Sequence, residues 1–472
     1  MQELEIFRFN ETLNDKGILI DRKTCEELVA VCDYIAEENK IRVQDLTEGK
    51  VSSVTAVEQC LRWIRKQGVD IPDLRADTVT AYLSQKDSLP PDIVSLLQYR
   101  QIGAKSSVKK LTAILSVLDD DNRAHGVHFY YGAHTGRFSS KLIQVHNLPR
   151  GMKLGEDEID RIISALAIDG VEHFVNFLER EYGYDQIMNV ISSLVRPMII
   201  APPDHSLVIS DYSAIETRVL AWAANCQPLL NAYREGTDVY KLMASKVFSK
   251  EIADVDSGER QIGKALILGC GYGMGAAKFR DTCGIEISDA AASFYVDSYR
   301  NTFPEVPKFW RGVERAFTEA VNTGRDVTYG NLRIFTNRQF TFIELPNGRC
   351  LSYPLVEIEE NVDDSGWTTT DIKYYRDTQG SWGAHKLWGG ILTENIVQAM
   401  ARDILVDGML AVDKAGFPVT FSVHDEVVCE VPEHRLTSDN LTKFDRLLTT
   451  SSSWCSDLPL AVETEISQRY KK

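Results

Sequence analysis

The sequence predicts an α+β protein of two or three packed subdomains, and three observations carry that expectation. The chain has 472 residues, more than one ordinary core holds. Long stretches repeat apolar residues at helical spacing. Two β-prone apolar runs, 206–210 and 419–423, each lead into acids: Asp211 after the first, Asp425 and Glu426 after the second.

Taken in chain order, residues 20–120 read as mostly helical and amphipathic, with helix starts near 23–30 and 91–97. Asp119, Asp120, Asp121 and Asn122, followed by His125-Gly126, mark a turn, and 127–131 reads as a short strand. Residues 156–193 predict two helices separated at Asp169-Gly170, and Pro202-Pro203 breaks the chain before the strand into Asp211. From 231 to about 345 the pattern is helical again, interrupted by Gly269, Gly271, Gly273 and Asn322-Thr323-Gly324. Residues 392–415 form one long helix, with Thr393 as its cap and Gly416 and Pro418 ending it. A hairpin follows with two acids, Asp425 and Glu426, at its apex. No internal repeat or low-complexity tract is present.

Composition narrows the class. Hydrophobic residues make up 44% and charged residues 25%, as in soluble globular proteins. No apolar run approaches the ~18 residues that span a bilayer, and the acidic start at Glu3 and Glu5 is unlike a signal peptide. Nine cysteines without a Cys-x-x-Cys pair predict free thiols in a reducing cytoplasm and no zinc site. A net charge of −16 argues against a general nucleic-acid surface. It leaves room for a cationic cleft, because phosphate contacts act within about a Debye length.

Acids delivered by strand ends are what two-metal phosphoryl transfer needs, since two Mg²⁺ roughly 4 Å apart must be held on rigid elements. Asp211 and Asp425 are the candidate shared ligands. Either acid alone reads more readily as a solvated turn residue; it is the pair that carries the signal. Between them, Arg260, Lys264, Leu268 and Tyr272 follow at i, i+4, i+8 and i+12 on one helix face, opened by Ser257 as a capping-type residue. Two cations near the positive end of a helix attract a triphosphate.

These segments resemble DNA polymerase family A, the family of bacterial DNA polymerase I. Asp211-Tyr212-Ser213-x-Ile215-Glu216 and Val423-His424-Asp425-Glu426-Val427 are similar to its two metal-binding motifs. Arg260-x3-Lys264-x7-Tyr272-Gly273 is similar to its nucleotide-binding finger helix. The resemblance implies a right-hand fold: a thumb over 1–130, a palm over 131–230 and 346–472 with an insertion at 151–195, and fingers over 231–345. It implies Mg²⁺ held by Asp211, Tyr212 and Asp425, with Glu426 and Lys264 joining the chemistry. It implies dNTP phosphates held by Arg260 and Lys264, a templating base guarded by Tyr272, and a glutamate, Glu216, excluding ribonucleotides. The family usually has Phe or Tyr where this chain has Leu268.

The Thr135-Gly136-Arg137-Phe138 segment and the Gln144-x-His146-Asn147 segment resemble the palm motif that touches primer–template near the minor groove. Arg137, Gln144 and Asn147 are its matching positions, with His146 standing where Gln is common. Gln398 matches a template-side contact and His424 a primer-end contact, and Lys105 and Lys109 would make a thumb contact with the duplex backbone, though a lysine cluster reads as readily as solvated surface. The resemblance runs from about residue 14 to the C-terminus. It leaves no room for a proofreading exonuclease or a 5′ nuclease domain, and so leaves a place for a separate exonuclease, helicase or processivity factor as partner. The longer 151–195 stretch is closer to phage-encoded members.

Three rivals remain. A single-subunit RNA polymerase would carry a small residue at Glu216 and Ser beside the hairpin aspartate. A non-catalytic DNA-binding replication subunit would have lost one of Asp211, Asp425, Arg260 or Lys264. A two-metal nuclease has no need of the triphosphate helix.

Overall fold

The computed structural model describes residues 2–103, 107–362, 368–378 and 381–471. Its centre is a four-stranded antiparallel sheet in the order Val419–Val423, Glu426–Pro432, His205–Tyr212, Val462–Ser467. The inner strand His205–Tyr212 is buried almost throughout because both of its faces are covered. Side chains alternate across a strand, so Val208 and Tyr212 enter one core while Leu207 and Ile209 enter another.

The first core lies under the helix Gly389–Lys414, whose residues are buried nearly all round, as expected of a helix without a solvent face. The second is closed by Arg22–Leu46, capped by Asp21 accepting from Thr24 N, and by the predicted insertion. That insertion forms the helix Glu156–Tyr182, broken at Gly170 (φ 69°), and the almost wholly buried Ile187–Leu194. A third, small core gathers Trp63, Ile64, Leu96 and Leu97 of the N-terminal helices. Among the described residues no helix is long and apolar enough to cross a membrane.

Several local expectations need correction. The helical pattern stops at Thr323, not near 345. Strands Val327–Tyr329, Leu332–Thr336, Phe340–Glu344 and Cys350–Pro354 form a meander, and a three-stranded sheet follows over 357–387. The long helix begins at Gly389, so Thr393 is buried inside it and caps nothing. The helix Ser257–Cys270 is capped by Asp256, whose carboxylate takes Glu259 N while Glu259 reaches back, leaving Ser257 as its first turn. At the hairpin only His424 and Asp425 form the turn; Glu426 already belongs to the strand.

One glycine sets the approach of the helix Ser257–Cys270 to its neighbour Val239–Phe248. A Cβ on Gly263 would lie 2.1 Å from the Tyr240 carbonyl oxygen, so only glycine allows the two backbones to pack this closely.

Candidate active site

Asp211 closes the inner strand, and the antiparallel register sets Glu426 directly opposite it. Tyr212 N donates to Asp425 O at 3.1 Å, which ties the hairpin turn to the end of the central strand. Two acids 214 positions apart in sequence are thereby fixed on adjoining backbone. His424 takes the left-handed conformation, φ 57°, uncommon for a residue with a Cβ and typical of tight hairpin turns.

Both aspartates line one open cleft of about 650 Å³. Arg137, Glu216, Lys264, Leu268 and His424 line the same cleft, and so do Tyr240 and Glu463, which the sequence did not single out. Tyr212 reaches it through its backbone alone. Its ring is buried and its hydroxyl donates to Leu448 O at 2.8 Å, and burial raises its pKa.

Asp211 and Asp425 present hard oxygen donors in one cleft, the ligand type Mg²⁺ takes. Among the described residues no cluster of three or more His, Cys, Asp or Glu is arranged to hold a metal. Mg²⁺ commonly uses one or two carboxylates and completes its shell with water and substrate phosphate, a habit that two aspartates in one cleft match.

Glu426 stands apart from this cleft. It is 1% exposed, accepts from the Tyr470 hydroxyl at 2.7 Å, and lines a second cleft of about 670 Å³ that shares Asp211 and Glu463 with the first. Arg150 and Lys153 also line that second cleft.

On the helix side, Lys264 and the exposed Leu268 face the aspartates across the cleft. Arg260, one turn earlier, donates instead to Asp238 Oδ2 at 2.7 Å and sits over the Tyr240 ring, 5.2 Å from its centroid. Burial opposes ionisation of Asp238, yet the Arg260 guanidinium and the N–H groups of Tyr240 and Lys241 hold its carboxyl below the ordinary value. Tyr272 donates to Glu216 Oε2 at 3.1 Å, and burial together with that carboxylate pushes its phenol well up. Arg137 pairs with the other oxygen of Glu216. The chain Arg137–Glu216–Tyr272 links a candidate duplex contact, the candidate ribose gate and the candidate template guard.

The remaining candidates are placed as follows. Gln144 is exposed, in a left-handed backbone, and accepts from Lys110 Nζ at 3.0 Å. Asn147 and Lys109 are exposed. Gln398 donates to Glu394 Oε1 at 3.0 Å on the long helix. His146, standing where Gln is common, packs edge-on against His424 with centroids 5.2 Å apart. Lys105 lies outside the described residues.

If Glu216 closes the space beside the sugar, Glu216→Ala should raise the ratio of ribonucleotide to deoxynucleotide incorporation by about tenfold, the scale of one lost steric and polar contact. Single-turnover incorporation of each nucleotide measures it; an unchanged ratio removes Glu216 from that role.

A helical and β-sheet hand around such a cleft is the architecture of right-hand nucleic-acid polymerases. The family model for "DNA polymerase family A" matches residues 75–337. The chain is 30% identical over 478 residues to the DNA polymerase of Bacillus phage SP02, covering 100% of this chain and 71% of that protein. It is 24% identical over 401 residues to DNA polymerase I of Pseudomonas aeruginosa, covering 84% of this chain and 35% of that protein. The POL domain of Pol1 from M. smegmatis, solved in complex with DNA primer-template and dNTP, superposes with a TM-score of 0.66 at 18% identity, covering 99% of this chain and 70% of that one. The chain belongs to DNA polymerase family A and is a DNA-directed DNA polymerase.

Proposed function

We propose that the 650 Å³ cleft adds dNTPs to a primer 3′ end, directed by a template, through two-metal phosphoryl transfer. One observation carries the reading: Asp211 of the central strand and Asp425 of the adjoining hairpin turn line the same cleft as Lys264 of the finger-like helix. On this reading residues 1–130 act as thumb, 131–230 and 346–472 as palm, and 231–345 as fingers. The reading assigns polymerisation, and no proofreading chemistry, to the described residues.

Asp211 and Asp425, with the Tyr212 carbonyl, would hold the ions. When bound, Mg²⁺ supplies a more acidic 3′ hydroxyl and charge neutralisation on the departing pyrophosphate. Lys264 sets an ammonium beside the triphosphate and stabilises the charge that builds on the leaving group. Arg260 exchanges Asp238 for phosphate when the nucleotide arrives. Glu216 excludes a 2′ hydroxyl, and Tyr272 stands by the templating base. Arg137, Gln144 and Asn147 meet the minor-groove edge, whose acceptors are nearly independent of sequence, so they check pair shape without reading bases, and Gln398 contacts the template side. His424 supports the primer end, and Lys109 contacts the duplex backbone.

The test is primer extension by the unmodified chain with dNTPs against rNTPs in Mg²⁺, repeated with a chelator. Extension with dNTPs, little with rNTPs, and loss of both on chelation is the expected result. Equal use of rNTPs favours the RNA polymerase reading, and absence of extension favours a non-catalytic subunit.

A further inference from the structure

The turn that presents Arg137 is held from beneath by one buried guanidinium. Ala133 N bonds to Arg137 O at 3.2 Å and Gly136 N to Ala133 O at 2.9 Å, closing the turn with Gly136 at φ +85°. Arg349, from the connection between Phe340–Glu344 and Cys350–Pro354, packs so tightly here that a Cβ on Gly136 would lie 2.7 Å from its Nη1. That nitrogen donates to Thr135 O at 3.0 Å, and Nη2 donates to Ala399 O at 2.8 Å on the helix Gly389–Lys414. The remaining nitrogen, Nε, forks onto both oxygens of Asp403 at 2.9 and 3.1 Å. Both side chains are nearly closed to solvent, at 7% and 3% exposure.

Asp403 is itself fixed. It accepts from Asn347 Nδ2 at 2.7 Å and from Arg402 at 3.0 Å, and Arg402 is in turn held by Glu3 of the N-terminal helix at 2.8 Å. An ion pair needed only for stability would use the Asp403 face of the guanidinium. This one also spends two nitrogens on backbone carbonyls, one two residues before Arg137 and one immediately after Gln398. A lysine ammonium cannot point in those three directions at once.

We propose that Arg349, oriented by Asp403, is a positioning residue for polymerisation. It locks the 133–137 turn to the helix bearing Gln398, so that Arg137 meets both the duplex and Glu216 in one geometry. The proposal rests on the reading of the cleft as the primer–template site. Arg349 itself touches no substrate; it acts through Arg137.

A double-mutant cycle tests it, with Arg349→Lys and Arg137→Ala made singly and together. The readouts are KM for primer–template, KM for dNTP, kcat and the melting midpoint. Arg349→Lys should raise the primer–template KM about tenfold and leave the dNTP KM within about twofold, the pattern of a displaced contact. On that background Arg137→Ala should add less than about twofold, because the contact is already lost. Full multiplication of the two losses overturns the positioning role while leaving Arg137 as a duplex contact. If Arg137→Ala alone leaves the primer–template KM unchanged, Arg137 is not that contact and the proposal falls with it. Should Arg349→Lys fail to fold, Asp403→Asn carries the same cycle: it keeps an acceptor for Arg349 but removes the charge that orients it.

Discussion

Asp425→Asn should extend primers about 10³-fold more slowly than the unmodified chain, a barrier increase of about 4 kcal/mol at 1.36 kcal/mol per decade. Losing an ion's anionic ligand removes several kcal/mol of charge stabilisation where the 3′ oxygen and the pyrophosphate both develop charge. The substitution keeps the size of the side chain and lies at a half-buried hairpin turn, so the sheet should survive it. Primer–template binding, read by gel shift, should change little. Asp211→Asn should fall as far, and the double variant no further than either alone, because groups that act as a unit lose their effect together. Extension by Asp425→Asn within about tenfold of the parent chain would remove the two-aspartate mechanism.

What made this site readable is local and periodic. The inner strand announced itself through the apolar run Leu207-Val208-Ile209, typical of a strand covered on both faces, and the hairpin because two β-branched runs flank a short polar turn. The spacing of Lys264 and Leu268 needed only helical geometry; Tyr272, expected on the same helix face, lies in the turn after the helix ends at Cys270. The Ser257 error was avoidable from sequence: a capping box pairs the cap with an acid three residues on, which fits Asp256 with Glu259 and not Ser257 with Arg260. The missed meander was also visible, since Phe340, Thr341, Phe342 and Ile343 are β-formers and Gly330-Asn331 is a turn pair.

Other features had no local signature. Thr393 looked like a cap, but the helix starts four residues earlier, where Gly389 N donates to the Glu314 carboxylate at 2.6 Å, a contact between distant segments. Arg349 and Asp403 are 54 positions apart, on a strand connection and a buried helix, and neither lies in a motif. Arg260 facing Asp238, not the open cleft, depends on how two helices pack. The net charge of −16 pointed away from DNA because a whole-chain sum hides where cations lie. Arg137 and Lys264 face the cleft.

Leu268→Tyr should relax discrimination against dideoxynucleotides by about ten- to a hundredfold, the range available when a site gains one polar contact that a substrate itself lacks. Leu268 is 47% exposed and lines the cleft one turn beyond Lys264, so on the proposed reading the sugar side of a triphosphate would meet an aliphatic wall. Leucine packs there but has no π-face to stack on and no hydroxyl to share. A dNTP keeps its own 3′ hydroxyl to organise the phosphates, whereas a dideoxynucleotide in this pocket has nothing in that place, and neither does the protein. A tyrosine at 268 brings a ring against the sugar and base and a phenol into the space the missing hydroxyl leaves. The side chain projects into an open cleft, so the extra volume requires no core to expand, and the melting midpoint should stay within about 2 °C. Competitive incorporation of ddNTP against dNTP on one primed template separates the outcomes. If the tyrosine variant uses terminators no better than the parent chain, position 268 does not face the incoming sugar. The helix would then present a different residue to the nucleotide than its spacing implies.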